Sequence, residues 1–187
     1  MEGPAAKRAD GRRNFERLLA VARVVVQEQG TQASLRDIAR RAEVGLGTLY
    51  RHFPTRDALL EVLLREGFDR LATRAAELED EAEPWESLLV WVGELGRGSM
   101  AYRGLPASLL EMITDDSSPL HQSCIAMRSA GERLLRRAQD VGAVRVDLTA
   151  AELFELVAAV GWVAEQSAHP AQRRERLLAL VTDGLAR

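Results

Sequence analysis

A chain of 187 residues, 47% hydrophobic and 28% charged, is long enough to bury a core without staples, and its composition excludes collagenous and disordered classes. Its single cysteine, Cys124, excludes an internal disulfide and a multi-cysteine zinc site. The formal net charge of −3 is unevenly placed: residues 1–56 hold eleven basic against six acidic residues, a net of +5, and the remainder holds 14 against 22, a net of −8. That split predicts a basic, anion-binding module joined to an acidic body. No apolar run approaches the roughly eighteen residues of a membrane span, and Met1–Arg13 lacks the apolar stretch of a secretion signal, so a soluble, cytoplasmic protein without membrane contact is expected.

Every strongly patterned stretch has helical period, which predicts an all-α fold of about nine helices. Phe15, Leu18, Leu19, Ala22, Val25 and Val26 mark a first helix over about 11–30, stopped by Gly30. Ser34 stands three residues before Asp37 as an N-cap for a short helix over 34–42, with Leu35, Ile38 and Ala39 inward. After Glu43-Val44-Gly45, the pattern Leu46, Leu49, Phe53 gives a second short helix over 46–53, ending at Pro54. Helices of about two turns cannot bury their own faces, so these two must rest on the first. A domain of residues 1–56 follows, with residues 57–187 forming a second.

Thr55 caps a long fourth helix to about Asp80, and Pro84 opens a fifth reaching about Tyr102. A sixth runs from Gly104-Leu105-Pro106 to about Thr114. Asp115–Ser118 turns into a seventh that reaches Gly142. Thr149 and Glu152 form a capping box for Ala150–Ser167, and Pro170 begins the last helix, to Ala186.

The segment Ser34–Arg56 reads SLRDIARRAEVGLGTLYRHFPTR, two short helices joined by a tight turn, which is the geometry of a helix-turn-helix. Its outward positions Arg36, Thr48, Tyr50, Arg51 and His52 are donor-rich, with no acid on the second helix. Gly45 and Gly47 leave room for a backbone to approach DNA closely. Leu35, Ile38, Val44, Leu49 and Phe53 are core. Taken alone, Tyr50 could instead cap the three-helix core with its hydroxyl exposed, and His52 could be an ordinary surface histidine.

The run Ile38-Ala39-x-x-Ala42-x-Val44-Gly45-x-Gly47-Thr48-Leu49-Tyr50-x-His52-Phe53-x-x-Arg56-x-x-Leu59-Leu60 resembles the DNA-binding signature of the TetR/AcrR family of transcriptional regulators over roughly residues 10–65. The stretch Gly104–Arg145, with His121-Gln122 and Ala126-Met127-Arg128, is similar to the SbtR-like C-terminal type. The resemblance implies an all-helical homodimer whose N-terminal helices read a palindromic double-stranded operator and whose C-terminal helices hold an effector pocket and the dimer interface. It also implies roles: Tyr50 and His52 on phosphates, Thr48 and the Leu46–Gly47 backbone at base edges or the sugar-phosphate, Arg56 on phosphate beside a helix N-terminus, and Arg36 on a base. Ser34 and Arg51 complete that set. One position departs from the pattern: Glu43 stands where the motif commonly has glycine, and a positive φ there would cost a non-glycine residue about 1–2 kcal/mol.

Other motifs fail. Gly93-Glu94-Leu95-Gly96-Arg97-Gly98 has the glycines of a phosphate loop in the wrong order and no preceding strand. His52, His121 and His169 lack the spacing of a metal pair, so neither metal nor cofactor is expected. Cys124 lies three residues from His121, and a buried thiol would dispose of a nucleophile–base pair there. An enzyme is not expected.

In the C-terminal half, Trp91, Met100, Arg103, Met112, His121, Cys124, Met127 and Trp162 are candidates for an apolar pocket with a few polar groups, the surroundings a small-molecule effector needs. Any single apolar one of them reads first as a core residue at helical spacing; it is the group that points to a pocket. The eighth helix is apolar on most of its circumference, so one side should meet its own domain and the other a partner. Leu153, Phe154, Val157, Ala158, Gly161 and Trp162, with Leu177, Leu178, Val181 and Leu185 of the last helix, are the candidate dimer interface, half of a four-helix bundle about a two-fold axis. The expected function is a transcriptional repressor released from its operator by a small molecule. The competing reading is a helical interaction protein that keeps the fold without binding DNA.

Overall fold

The computed structural model describes residues 4–99 and 105–186, with the side chains of 10–98 and 105–186. Nine α-helices lie among the described residues: α1 (Pro4–Gln29), α2 (Leu35–Arg41), α3 (Leu46–His52), α4 (Arg56–Glu79), α5 (Pro84–Ser99), α6 (Ala107–Thr114), α7 (Pro119–Asp140), α8 (Ala150–Glu165) and α9 (Pro170–Leu185). The expected all-α architecture is present. No described helix is long and apolar enough to cross a membrane.

Helix ends follow from side-chain capping. Gly30, at φ 73°, stops α1 and starts a 3₁₀ turn, Gly30–Gln32. Ser34 Oγ accepts the Asp37 N–H at 3.4 Å, and Thr55 Oγ1 accepts that of Ala58 at 3.0 Å. At the start of α8 the Thr149 N–H reaches Glu152 Oε2 at 2.8 Å while the Glu152 N–H reaches Thr149 Oγ1 at 3.2 Å, a complete capping box. The first helix begins seven residues before its expected start at 11. Pro4 suits a first helical turn and Ala5, Ala6 and Ala9 favour helix, but no apolar stripe marks this part of the sequence.

The chain forms two compact units. The first contains α1–α3, α4 as far as Leu64, and α6 as far as Met112. Leu18, Ala22 and Val25 of α1, Ile38 of α2, Leu49 of α3, and Phe53 fill its interior. The rings of Phe15 and Phe53 stack at 5.3 Å. The expected domain boundary at residue 56 falls at the start of α4, whereas the unit continues to Leu64 because Leu59, Leu60, Leu63 and Leu64 are all buried.

The second unit takes α4 from Arg65, α5, and the chain from Ile113 onward. Its core gathers Leu78 of α4, Leu88, Trp91 and Val92 of α5, Leu134 and Leu135 of α7, Leu153 and Val157 of α8, and Leu178 of α9. Arg137 of α7 donates to the carbonyls of Leu78 and Glu81 at 3.2 and 3.0 Å, satisfying acceptors around the end of α4. The Arg145 N–H donates to Leu185 O at 3.3 Å, returning the end of α9 to the segment that enters α8.

Candidate nucleic-acid interface

The turn between α2 and α3 is held by its backbone. Val44 N–H donates to Ala39 O at 3.0 Å, Val44 itself is buried, and Glu43 takes the left-handed conformation at φ 54°. The expectation that this position needs positive φ is therefore met by a glutamate. Gly45 O then accepts the N–H groups of Thr48 and Leu49 at 2.8 and 3.1 Å, starting α3.

Only Leu49 of α3 is buried, so the rest of the helix is available to solvent. Gly47, Tyr50 and Arg51 are exposed, Tyr50 to 48%, and Leu46, Thr48 and His52 are half-buried. Ser34, which caps the adjoining α2, and Arg36 within it are exposed as well. A Cβ on Gly45 or Gly47 would meet nothing within 4 Å, so packing within the chain does not require glycine at either position. His52 is partly enclosed, with its ring 5.6 Å from Phe15 and 6.3 Å from Phe53.

Charge on this surface is sorted by local pairing. Asp37 is hydrogen-bonded by Arg40 and lies 2.9 Å from Arg41 Nε, and Arg41 also reaches Glu28 at 2.8 Å. The Arg40 hydrogen bond, with the charge of Arg41 adding to it, holds the Asp37 carboxyl below its ordinary range. Arg40 and Arg41 are thus compensated by acids, while Arg36 and Arg51 have no carboxylate partner among the described residues. Arg51 folds back onto its own helix, donating to Thr48 Oγ1 at 2.8 Å and Gly47 O at 3.3 Å. At the start of α4, Arg56 donates through Nη1 to Gln32 Oε1 at 2.9 Å, and its buried Nε has no hydrogen-bond partner. Gln32 is a support that no sequence pattern indicates, because it touches Arg56 across 24 residues of chain.

The candidate pocket residues do not form one set. Met100 and Arg103 lie outside the described residues. Trp91 is 0% exposed, with its indole N–H donating to Leu71 O at 2.9 Å. It is a packed core residue rather than a wall open to a ligand, because the ring fits over the bare face of Gly131. Met127 and Cys124 are buried, and Met112 and His121 are half-buried. Trp162 is 66% exposed, which removes it from an interior pocket. Burial pushes the Cys124 thiol up, with Arg128 pulling weakly the other way. Both ring nitrogens of His121 are engaged elsewhere, at 2.7 Å from Ile113 O and 3.2 Å from Asp116. That is the reverse of an activated thiolate–imidazole pair.

Of the candidate interface residues, Leu153, Val157, Gly161 and Leu178 are buried within the second unit and so are not a free surface. Phe154 meets Trp91 edge-on at 5.9 Å. Leu177, Val181 and Leu185 are half-buried, and Ala158 and Trp162 face outward. Val163 and Leu180, missed in the sequence reading, are also exposed. They lie four residues after Ala159 and three after Leu177, so helical spacing held the signal.

Residues 18–63 match the family described as bacterial regulatory proteins, tetR family, and residues 83–187 match the C-terminal domain of SbtR-like transcriptional regulators. A TetR transcriptional regulator from Streptomyces coelicolor is similar at 34% identity and a TM-score of 0.71, over 91% of this chain and 97% of that one. A TetR transcription regulatory protein from Mycobacterium vanbaalenii is similar at 29% identity and a TM-score of 0.63, over 96% of this chain and 99% of that one. An HTH-type transcriptional regulator of Staphylococcus aureus is 29% identical over 75 residues; the match spans 40% of this chain and 40% of that curated relative.

Proposed function

We propose, from the premise that this chain belongs to the TetR family of bacterial transcriptional regulators, that it is a cytoplasmic, homodimeric repressor that holds a palindromic operator and releases it on binding a small molecule. The observation that carries the reading is the outer surface of α3. It presents Thr48, Tyr50 and Arg51 beside Arg36, carries no acid, and has two glycines that only an approach from outside the chain would require.

Arg51 and Arg56 supply charge to phosphate, Tyr50 and His52 add hydrogen bonds to the backbone, and Arg36 reaches a base edge. Arg56 sits at the N-terminus of α4, where the helix dipole favours an anion. In a two-fold dimer the two α3 helices address successive major-groove faces of a palindrome. The C-terminal half of the chain holds the effector site. Its ligand favours a dimer arrangement whose recognition helices no longer match the groove spacing, so that DNA is released by population shift. The interaction-module reading is disfavoured by the same surface, since a fold that has lost DNA contact has no use for an acid-free row of exposed donors.

The test is operator binding measured against salt. Four phosphates neutralised per dimer by Arg51 and Arg56 give a slope in log K against log[salt] of about −4. Specific binding with no slope would overturn the reading, and a panel of metabolites screened for operator release would identify the effector class.

A further inference from the structure

Arg56 stands in a place that does not suit a cation. It is the first residue of α4, where the unpaired N–H groups and the helix dipole are positive, and it forms no ion pair among the described residues. The acid next to it in the chain is engaged elsewhere: Asp57 Oδ2 accepts the hydroxyl of Ser108 at 2.6 Å. What holds the guanidinium is neutral. Gln32 Oε1 accepts from Arg56 Nη1 at 2.9 Å across 24 residues of chain, while the Arg56 Nε is buried without a hydrogen-bond partner. Gln32 is itself firmly placed. It ends the 3₁₀ turn, with buried Thr31 and buried Ala33 on either side, and the Ala33 N–H closes that turn on Gly30 O at 3.2 Å. Gln32 is exposed, so it adds little to the core.

An amide oxygen and a carboxylate oxygen can hold the same N–H, but they differ in what they do to the charge. A carboxylate at this position would form a charge-assisted pair and cancel the guanidinium; an amide leaves the whole positive charge to an anion arriving from solvent. We propose that Gln32 is a positioning residue for operator binding, its neutral carbonyl orienting Arg56 toward a DNA phosphate at the start of α4 without cancelling the charge that the phosphate meets. This role depends on the operator contact in the proposed function and acts through Arg56. It gives position 32 a preference for the amide over the acid that stability alone does not, since an acid there would relieve an unpaired cation at a helix N-terminus.

Two substitutions in the full chain separate positioning from packing, with operator affinity read by fluorescence anisotropy across a salt series and folding read by thermal melting. Gln32→Ala frees the guanidinium with its charge intact: affinity should fall about fivefold, with the salt slope and the melting temperature close to wild type. Gln32→Glu holds the guanidinium but neutralises it in both protomers. Affinity should then fall by about tenfold or more and the slope should become shallower by about two, while the new ion pair keeps or raises the melting temperature. Weaker binding by a protein of equal or higher stability is an outcome that a merely structural residue does not give. Wild-type affinity in the alanine variant, an unchanged slope in the glutamate variant, or melting temperatures that fall in step with affinity would each overturn the proposal and leave the repressor standing. A wild-type chain that binds no operator would overturn both.

Discussion

Trp91 and Gly131 occupy adjoining space so closely that a Cβ on Gly131 would stand 2.3 Å from Cη2 and 2.7 Å from Cζ3 of the indole. The ring has little freedom to yield, because its N–H is bonded to Leu71 O and its edge lies against Phe154. Gly131→Ala should cost about 1–3 kcal/mol, the usual penalty for overpacking, even though alanine favours a helix over glycine by about 1 kcal/mol. Urea denaturation followed by tryptophan fluorescence would show a lowered midpoint with an unchanged slope. A midpoint at or above wild type would mean that the indole moves aside.

Glu43 is the non-glycine residue held at positive φ among the described residues. Glycine there removes about 1–2 kcal/mol of strain, and its freedom in the unfolded chain returns about 0.4–1 kcal/mol of that. Glu43→Gly should therefore raise stability by roughly 0.5–1 kcal/mol. It should also strengthen operator binding slightly, by taking one carboxylate away from phosphate. Thermal melting checks the first effect; a lower melting temperature would show that the glutamate side chain contributes more than the backbone strain costs.

What was legible in the sequence were features with a short-range cause. Ser34, Thr55 and Thr149 cap helices through atoms three residues away, and the stripe Leu18, Ala22, Val25 needs only helical period. The outward row Arg36, Thr48, Tyr50 and Arg51 was equally readable, because Leu49 alone turns inward on α3. Hidden features depended on packing between distant segments. Trp91 and Met127 satisfied the composition of a pocket, yet both sit in a closed core; whether an apolar residue lines space or fills it depends on what another helix places opposite, here Gly131. The apolar all-round α8 predicted two covered sides, but not that Leu153 and Val157 face its own unit while Trp162 and Val163 face out. Both stripes are apolar, so periodicity alone could not choose between them.

Tyr50 separates a DNA contact from a structural role. With 48% of its surface exposed, Tyr50→Ala should leave the melting temperature within about 1 °C of wild type, since exposed substitutions cost little. If its hydroxyl holds a phosphate, operator affinity should fall by about tenfold or more, since a hydrogen bond to a charged group contributes about 1.5–3 kcal/mol. Tyr50→Phe separates the hydroxyl from the ring, and should show most of that loss. Fluorescence anisotropy with labelled operator measures both, and unchanged affinity in the alanine variant would remove Tyr50 from the contact surface.

The capping box of α8 ties stability to acid pH through Glu152. Its carboxylate accepts the Thr149 N–H and hydroxyl, both at 2.8 Å, and these bonds hold its pKa below the ordinary glutamate value, the backbone bond contributing most. A carboxyl with a folded pKa below its unfolded one contributes stability that is complete above the unfolded value and is lost as the pH falls through the folded one. Glu152→Gln keeps an acceptor without the charge, so it should be less stable than wild type at neutral pH, and the gap should close as the solution is acidified below the glutamate range. Urea midpoints for both proteins across a pH series would show the two curves converging on the acid side. A gap that stays constant through that range would mean that the shape of the side chain, and not its charge, supports the cap.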